Sequence, residues 1–314
     1  MVARKPTRGA LWGLLIAAVL GAAAPAARAA DFAVIFMYHR FGEGGVPSTN
    51  ITIEQFEAHL AEIATGKYSV LPLPEIVAAL RARTPLPDRT IAITVDDAYL
   101  SVYTEAWPRL KAAGLPFTLF VATDPVDQGL RGYMSWDQIR DLARAGVSIG
   151  SQTASHLHMV TASPRRNAAE ISKSNRRFAA ELGFEPELFA YPYGEYSLAV
   201  RAVVIEAGFK AAFGQHSGVA YARHDLESLP RFALNETYGG IRRFRLAANA
   251  LPLRVSDVTP RDALLTENPP AFGFTVAEEL KGLGQLACYA SHQSEKARIE
   301  RLGERRFEVR LEAP

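Results

Sequence analysis

The sequence is poor in cysteine and carries almost no charge imbalance. Cys288 is the single cysteine among 314 residues, so the chain cannot form an intramolecular disulfide. Lysine and arginine number 35 against 33 aspartates and glutamates, and no polybasic stripe is present, so we predict no nucleic-acid partner. Internal repeats are missing too, and the only biased stretch is the Ala-rich N-terminus, which excludes solenoid and fibrous architectures.

Long apolar runs are scarce as well, and the one that exists lies at the N-terminus. Residues 10–24 are rich in Ala and Leu, but they are too few and too rich in Ala and Gly for a typical membrane span. Three basic residues precede this run, and the small residues Ala27 and Ala29 follow it, which is the order found in a signal peptide. We therefore expect residues 1–29 to be a signal peptide, with an uncleaved anchor as the alternative.

Both interpretations imply export, and we predict a periplasmic or secreted protein. Removing residues 1–29 takes away four basic side chains and no acidic ones, so the formal net charge moves from +2 to −2. Contact with a membrane surface or the cell envelope is left open, as is the oligomeric state.

Strand-like and helix-like segments alternate from residue 32 onward. The predicted strands are residues 33–38, 91–95, 117–122, 147–150, 188–191, 211–213 and 229–234. The predicted helices are residues 53–65, 73–83, 101–113, 136–145, 165–182 and 198–207. This alternation predicts an α/β fold with a mostly parallel sheet, either open or closed as a (β/α) barrel.

We favour a barrel, incomplete or distorted and seven-stranded, because the polar candidate residues fall at the carboxyl ends of its strands. After residue 249 the pattern changes to short alternating segments between Pro-rich turns, which is typical of a small β module. The predicted domains are therefore residues 30–249 and 250–314. Whether this module is complete is left open.

Two adjacent carboxylates, Asp96 and Asp97, end the buried-looking strand at residues 91–95. Like charges this close repel and lose hydration, so a cation or a shared proton is needed nearby. Such a pair is typical of a site where one carboxylate holds a metal and the other transfers protons. The structural alternative is a helix cap after a strand.

Five segments carry chemically informative residues in a recurring order. They are Met-Tyr-His-Arg at 37–40, Thr-Val-Asp-Asp at 94–97, Ser-Gln-Thr-Ala-Ser-His at 151–156, Phe-Ala-Tyr-Pro-Tyr-Gly at 189–194 and Leu-Pro-Arg-Phe at 229–232. Together they resemble the polysaccharide deacetylases with a NodB homology domain (carbohydrate esterase family 4). Within that family they are most similar to the circularly permuted branch that includes poly-N-acetylglucosamine deacetylases. The resemblance covers about residues 31–240.

The resemblance implies a divalent metal site. Asp97 matches the metal-binding aspartate of the family, Asp96 its general base, and His156 the second histidine of its His-x-x-x-His motif. Gln152 replaces the first histidine, and an amide oxygen is a poorer ligand for a transition metal than imidazole. Whether Gln152 or His158 completes the site is left open. We expect Zn²⁺, with Co²⁺, Ni²⁺ or Mn²⁺ as alternatives.

The same resemblance assigns three further roles. The backbone N–H of Tyr193 matches the group that stabilises the oxyanion. Arg231 matches the arginine that orients the base, since Ala190 stands where many members carry it. His39, at the end of the first strand, takes the place of the general acid that most members carry on a late strand, as a circular permutation would give.

These residues predict a metal-dependent hydrolase that removes N-acetyl groups, or O-acetyl groups, from an amino-sugar polymer or oligosaccharide. The identity of the sugar polymer is left open. The alternative is a catalytically degenerate carbohydrate-binding protein on the same fold. Gln152 favours this alternative, whereas the presence of Asp96, His39 and Arg231 together favours the enzyme.

Overall fold

The structure is a computed structural model that describes residues 29–277, 282–291 and 293–312. All of the predicted signal peptide except Ala29 lies outside the described residues, so its prediction is not tested. Within the described part of the chain, no helix is long and apolar enough to cross a membrane.

The first part of the chain alternates short strands with helices. Its strands are β1 (Phe32–Tyr38), β2 (Arg40–Phe41), β3 (Asn50–Ile51), β4 (Ser69–Val70), β5 (Thr90–Val95), β6 (Thr118–Val121), β7 (Ser148–Ser151), β8 (Leu188–Ala190), β9 (Ala211–Phe213), β10 (Ala220–Tyr221) and β11 (Phe232–Ala233). Its helices are α1 (Ile53–Thr65), α2 (Leu73–Ala82), α3 (Trp107–Ala112), α4 (Thr123–Asp127), α5 (Trp136–Arg144), α6 (Pro164–Leu182), α7 (Leu198–Glu206) and α8 (Ile241–Ala248).

Nine strands form one curved sheet. Strands β1, β5, β6, β7, β8 and β9 are parallel neighbours in that order, and β11 pairs in parallel with the end of β1, which makes the seven strands of the barrel wall. Two short strands are added to it: β4 pairs in parallel with β5, and β10 pairs antiparallel with the start of β1. Phe36 of β1 is in register with Ile93 of β5 on one side and with Phe232 of β11 on the other. Just before β11, Leu229 makes a parallel bridge to Phe213 of β9, so this segment connects the last strand back to the first. The predicted distorted, seven-stranded (β/α) barrel is confirmed.

Burial on both faces explains the composition of the central strands. Every residue of β5 and residues 33–38 of β1 are buried, which is why these strands are almost continuous apolar runs. Outside the sheet, α1 begins with a capping box in which Thr52 and Gln55 satisfy each other's backbone N–H groups. Phe56 and Ile63 of α1 then pack inward.

The helix predicted for residues 101–113 is not continuous. Residues Val102–Ala106 form a π-helical turn, and α3 follows from Trp107. Pro108 near the start of α3 has no N–H, so the regular i→i−4 bond to Thr104 is missing. The wider turn accommodates that missing donor.

A separate antiparallel sheet follows the barrel. It contains β12 (Val255–Thr259), β13 (Phe272–Val276), β14 (Cys288–Tyr289), β15 (Lys296–Leu302) and β16 (Arg306–Arg310), in the spatial order β12-β13-β16-β15-β14. Phe274 and Phe307 stack at a centroid distance of 5.7 Å in its small core. The domain boundary near residue 249 stays a prediction.

Candidate active site

The sequence-predicted residues converge at one end of the barrel. His39 follows β1, Asp96 and Asp97 follow β5, and Gln152 follows β7. The loops that continue from β7 and β8 supply His156 and Tyr193, while Arg231 immediately precedes β11. This is the end at which the carboxyl termini of the parallel strands meet, where barrel enzymes carry their chemistry.

A cavity of about 470 Å³ opens at this end. Four of the predicted residues line it: His39, Asp97, His156 and Tyr193. The other three, Asp96, Gln152 and Arg231, are completely buried and are absent from its lining.

Asp96 and Arg231 form a buried, bidentate ion pair. The Arg231 Nη1 and Nη2 atoms each donate to one carboxylate oxygen of Asp96, at 2.7 Å in both cases. Arg231 Nε also donates to the carbonyl of Gly214 at 2.9 Å, and the guanidinium lies 5.4 Å from the centroid of the Phe120 ring. Such a planar, bidentate contact fixes the orientation of the carboxylate.

Asp97 faces His156 and Gln152. His156 Nε2 lies 3.3 Å from Asp97 Oδ1 and 3.2 Å from Gln152 Nε2, while Gln152 Oε1 accepts from the Asp97 N–H at 3.3 Å. Burial raises the pKa of Asp97, but the nearby His156 and His39 outweigh it and lower that pKa from 3.8 to about 2. Asp97 is therefore ionised throughout the neutral range.

This cluster fits a divalent cation. Asp97 Oδ1 is buried and has no hydrogen-bond donor among the described residues, although it is ionised. It lies beside an imidazole nitrogen and an amide group, which together offer oxygen and nitrogen lone pairs. No group of three or more His, Cys, Asp or Glu side chains suited to a metal is found in the described part of the chain. The Gln152 amide is the neighbouring group that contacts both Asp97 and His156.

Backbone strain is concentrated around the cluster. Nine described non-glycine residues have a positive φ, and five of them belong to the site: Asp97, Ala98, Thr153, His156 and Tyr193. Side chains are rarely tolerated in this conformation, so strain at several neighbouring positions is typical of functional loops. Gly194 (φ +71) follows Tyr193, and a Cβ there would lie 2.5 Å from Gln215 Cβ.

His158 lies apart from the proposed ligands. Its ring stacks on Tyr193 at 3.9 Å with an interplanar angle of 5°, and its Nδ1 lies 2.9 Å from Glu195 Oε2. Of the two residues considered for completing the metal site, Gln152 is therefore the one that contacts both Asp97 and His156.

Sequence reasoning missed an aromatic wall of the cavity. Tyr99 and Tyr133 line it with ring centroids 4.8 Å apart, and the Arg40 guanidinium lies 3.4 Å from the Tyr99 ring centroid. Burial and the neighbouring Asp97 raise the pKa of Tyr99 well above its ordinary value, so its hydroxyl stays protonated. The only sequence signal was the position of Tyr99, two residues after the paired carboxylates.

Comparison with known proteins supports the resemblance seen in the sequence. Residues 83–212 match the family model described as polysaccharide deacetylase. Over these residues the chain is similar to the polysaccharide deacetylases. The resemblance inferred from the sequence motifs is thereby confirmed.

Individual relatives agree with this assignment. YxkH of Bacillus subtilis (strain 168), classed by its name as a polysaccharide deacetylase, is 25% identical over 206 residues, which is 66% of this chain and 72% of YxkH. The poly-beta-1,6-N-acetyl-D-glucosamine N-deacetylase of Escherichia coli (strain K12) is 25% identical over 225 residues, covering 58% of this chain but only 33% of that enzyme. The fold of this chain is similar to that of the deacetylase PplD of Streptococcus pyogenes in complex with acetate, with a TM-score of 0.65, 21% identity, and coverage of 70% of this chain and 99% of PplD.

Proposed function

We propose that this polysaccharide deacetylase is an exported, metal-dependent hydrolase that removes N-acetyl groups from an amino-sugar polymer or oligosaccharide. Hydrolysis of O-acetyl groups is a variant of the same chemistry. The observation that carries the proposal is the arrangement of the paired carboxylates: Asp96 is fixed by Arg231, and Asp97 faces His156 with an unsatisfied buried oxygen.

Asp97 and His156 would hold the cation, with the Gln152 amide as the third protein donor. When bound, a divalent cation supplies Lewis acidity that polarises the acetyl carbonyl and makes water more acidic. Zn²⁺ is our first expectation, and Co²⁺, Ni²⁺ and Mn²⁺ are the alternatives.

The remaining residues would transfer protons and stabilise the negative charge that develops during the reaction. Asp96, oriented by Arg231, takes the proton of the attacking water while the water oxygen bonds to the acetyl carbon. The backbone N–H of Tyr193 stabilises the negative charge that develops on the carbonyl oxygen. His39 gives a proton to the nitrogen as the C–N bond breaks, so that acetate and a free amine leave.

The decisive experiment measures bound metal and acetate release on one purified sample. The substrates are chitooligosaccharides and poly-N-acetylglucosamine fragments, with Zn²⁺, Co²⁺, Ni²⁺ or Mn²⁺ added. We expect metal-dependent acetate release that is lost in both Asp96→Asn and Asp97→Asn. The second variant is needed because Asp96→Asn also breaks a buried ion pair, so loss of activity there must be separated from loss of folding.

A second candidate function is carbohydrate binding without catalysis. Gln152 favours it, because the described site offers only two ionisable ligands, Asp97 and His156. That function predicts saccharide binding with neither bound metal nor acetate release under any of these conditions.

A further inference from the structure

The loops that follow β7 and β8 contact each other at two points, which are two residues apart on both loops. The loop after β7 carries His156, and the loop after β8 carries Tyr193; their rings meet edge to face with a centroid distance of 4.5 Å and an angle of 68°. Two residues further along each loop, His158 Nδ1 lies 2.9 Å from Glu195 Oε2. The two contacts therefore repeat at the same spacing on both loops.

The second contact also restrains Tyr193. Its side chain is 47% exposed, so burial alone does not fix the orientation of its ring. The His158 ring covers one face of Tyr193 in a nearly parallel stack at 3.9 Å, and the contact with Glu195 holds His158 in place. The Tyr193 ring thus packs between His158 and His156.

His156 depends on this packing for its own orientation. A ligating imidazole is usually oriented by a hydrogen bond from its second ring nitrogen. Here Nε2 faces Asp97 and Gln152, and the described hydrogen bonds include none to the other ring nitrogen of His156. The edge-to-face contact with Tyr193 therefore restrains the plane of the ring.

We propose that His158 and Glu195 are positioning residues. Acting through the Tyr193 ring, they orient His156 toward Asp97 and hold the two loops in register. This inference rests on the proposed metal-dependent function. It extends that function by giving a role to a histidine that lies close to the cation site without contacting Asp97 or Gln152.

The test follows Co²⁺ binding to the purified full chain by calorimetry and by the visible absorption of the ion. We expect His158→Ala to weaken Co²⁺ binding by about 10-fold and to alter the absorption spectrum, since loss of groups that orient a ligand typically has effects of this size. His158→Phe keeps the aromatic stack and should recover most of the affinity. Glu195→Ala removes the contact with His158 and should weaken Co²⁺ binding as His158→Ala does, whereas Glu195→Gln keeps an oxygen that accepts from His158 and should bind Co²⁺ like the wild-type protein.

Thermal unfolding separates positioning from general destabilisation. The side chains of His158 and Glu195 are about half exposed, so we expect their substitution to leave the melting temperature nearly unchanged. Glu187→Ala is a matched control, since Glu187 is an exposed carboxylate paired with Lys210 elsewhere on the barrel. In the His158→Ala enzyme, kcat should fall while KM for the oligosaccharide stays constant, because substrate contacts are not removed.

Two results would overturn the proposal, and they have different meanings. If wild-type protein binds Co²⁺ and His158→Ala binds it with the same affinity and spectrum, His158 and Glu195 form only a surface contact. If the wild-type protein itself binds no divalent ion, the metal-dependent function fails and this inference fails with it.

Discussion

Arg231 and Asp96 are paired through two hydrogen bonds although 135 residues separate them in the chain. Asp96 follows β5 and Arg231 precedes β11, and these two strands flank β1 on opposite sides. The guanidinium therefore reaches the carboxylate across the end of β1, beside Thr94, whose hydroxyl accepts from Arg231 Nη1 at 3.2 Å. Closure of the barrel and orientation of the proposed base thus depend on the same short segment.

This pair should be important for stability as well as for chemistry. Asp96→Asn leaves the Arg231 charge buried without a counter-charge, and breaking a buried pair in this way typically costs about 3–5 kcal/mol. We expect a loss of about 3 kcal/mol in the free energy of unfolding, because the amide still accepts a hydrogen bond. Urea denaturation measures it. Adding Arg231→Met to Asp96→Asn should restore part of the loss, and a double variant less stable than either single one would contradict this explanation.

Gln152 should limit the metal affinity of the site. Gln152→His replaces a neutral amide with an imidazole next to Asp97 and His156, and imidazole is the better ligand for Zn²⁺ or Co²⁺. We expect Zn²⁺ affinity to rise at least about 10-fold, measured by competition with a chromophoric chelator. Gln152→Ala is the companion variant, and it should bind Zn²⁺ more weakly than the wild-type protein. Equal affinity in all three proteins would remove Gln152 from the site.

Local sequence patterns were sufficient for most of the barrel. Helix α1 was predicted with its observed bounds because Phe56 and Ile63 recur on one face, and the apolar run before Asp96 predicted β5. The two-residue strands β2, β3, β4 and β10 were not predicted. They contain too few residues for a periodic pattern, and their pairing depends on chain segments that are distant in sequence.

The sequence predicted which residues form the site but not how their side chains are oriented. The carboxyl ends of parallel strands lie at the same edge of a sheet, so the proximity of Asp97 and His156 follows from the fold. The opposite environments of Asp96 and Asp97 do not. The chain has left β5 and takes a positive φ at Asp97, so only the packed structure shows which of the two side chains reaches the cavity. The contact between His158 and Glu195 joins two loops 37 residues apart, which no local pattern reveals.

His39 should matter for amide substrates much more than for activated esters. A departing amine needs a proton, whereas 4-nitrophenolate leaves without one, so general-acid catalysis contributes only to the first reaction. We expect His39→Gln to lower kcat on chitooligosaccharides by about 100-fold or more and to change 4-nitrophenyl acetate hydrolysis by less than about 10-fold. Metal content and melting temperature serve as controls. An equal loss on both substrates would assign His39 to substrate binding or to the metal instead of to proton donation.

A buried histidine away from the site should make the fold sensitive to acid. His59 lies between the Tyr38 hydroxyl, 3.0 Å from its Nδ1, and the Gly239 carbonyl, 2.7 Å from its Nε2, and its ring stacks on Phe244. The neutral tautomer with a proton on Nε2 satisfies both partners: Nε2–H donates to the carbonyl, and Nδ1 accepts from the hydroxyl. Burial lowers the pKa of His59 from 6.5 to about 4, and the contact with the Gly239 carbonyl only partly opposes this.

The sign of the pH effect follows from that lowered pKa. Between pH 6.5 and 4 the unfolded chain binds a proton that the folded chain does not, so the free energy of unfolding should fall as the pH drops through this window. At pH 4, the decrease in the free energy of unfolding that is attributable to His59 is on the order of 3 kcal/mol. His59→Gln keeps a donor and an acceptor but does not titrate, so its urea-unfolding free energy should depend less on pH. Part of the dependence should remain, because burial also lowers the pKa of His224 to about 4. A variant whose stability declines between pH 7 and 4.5 as steeply as that of the wild-type protein would show that His59 is not responsible.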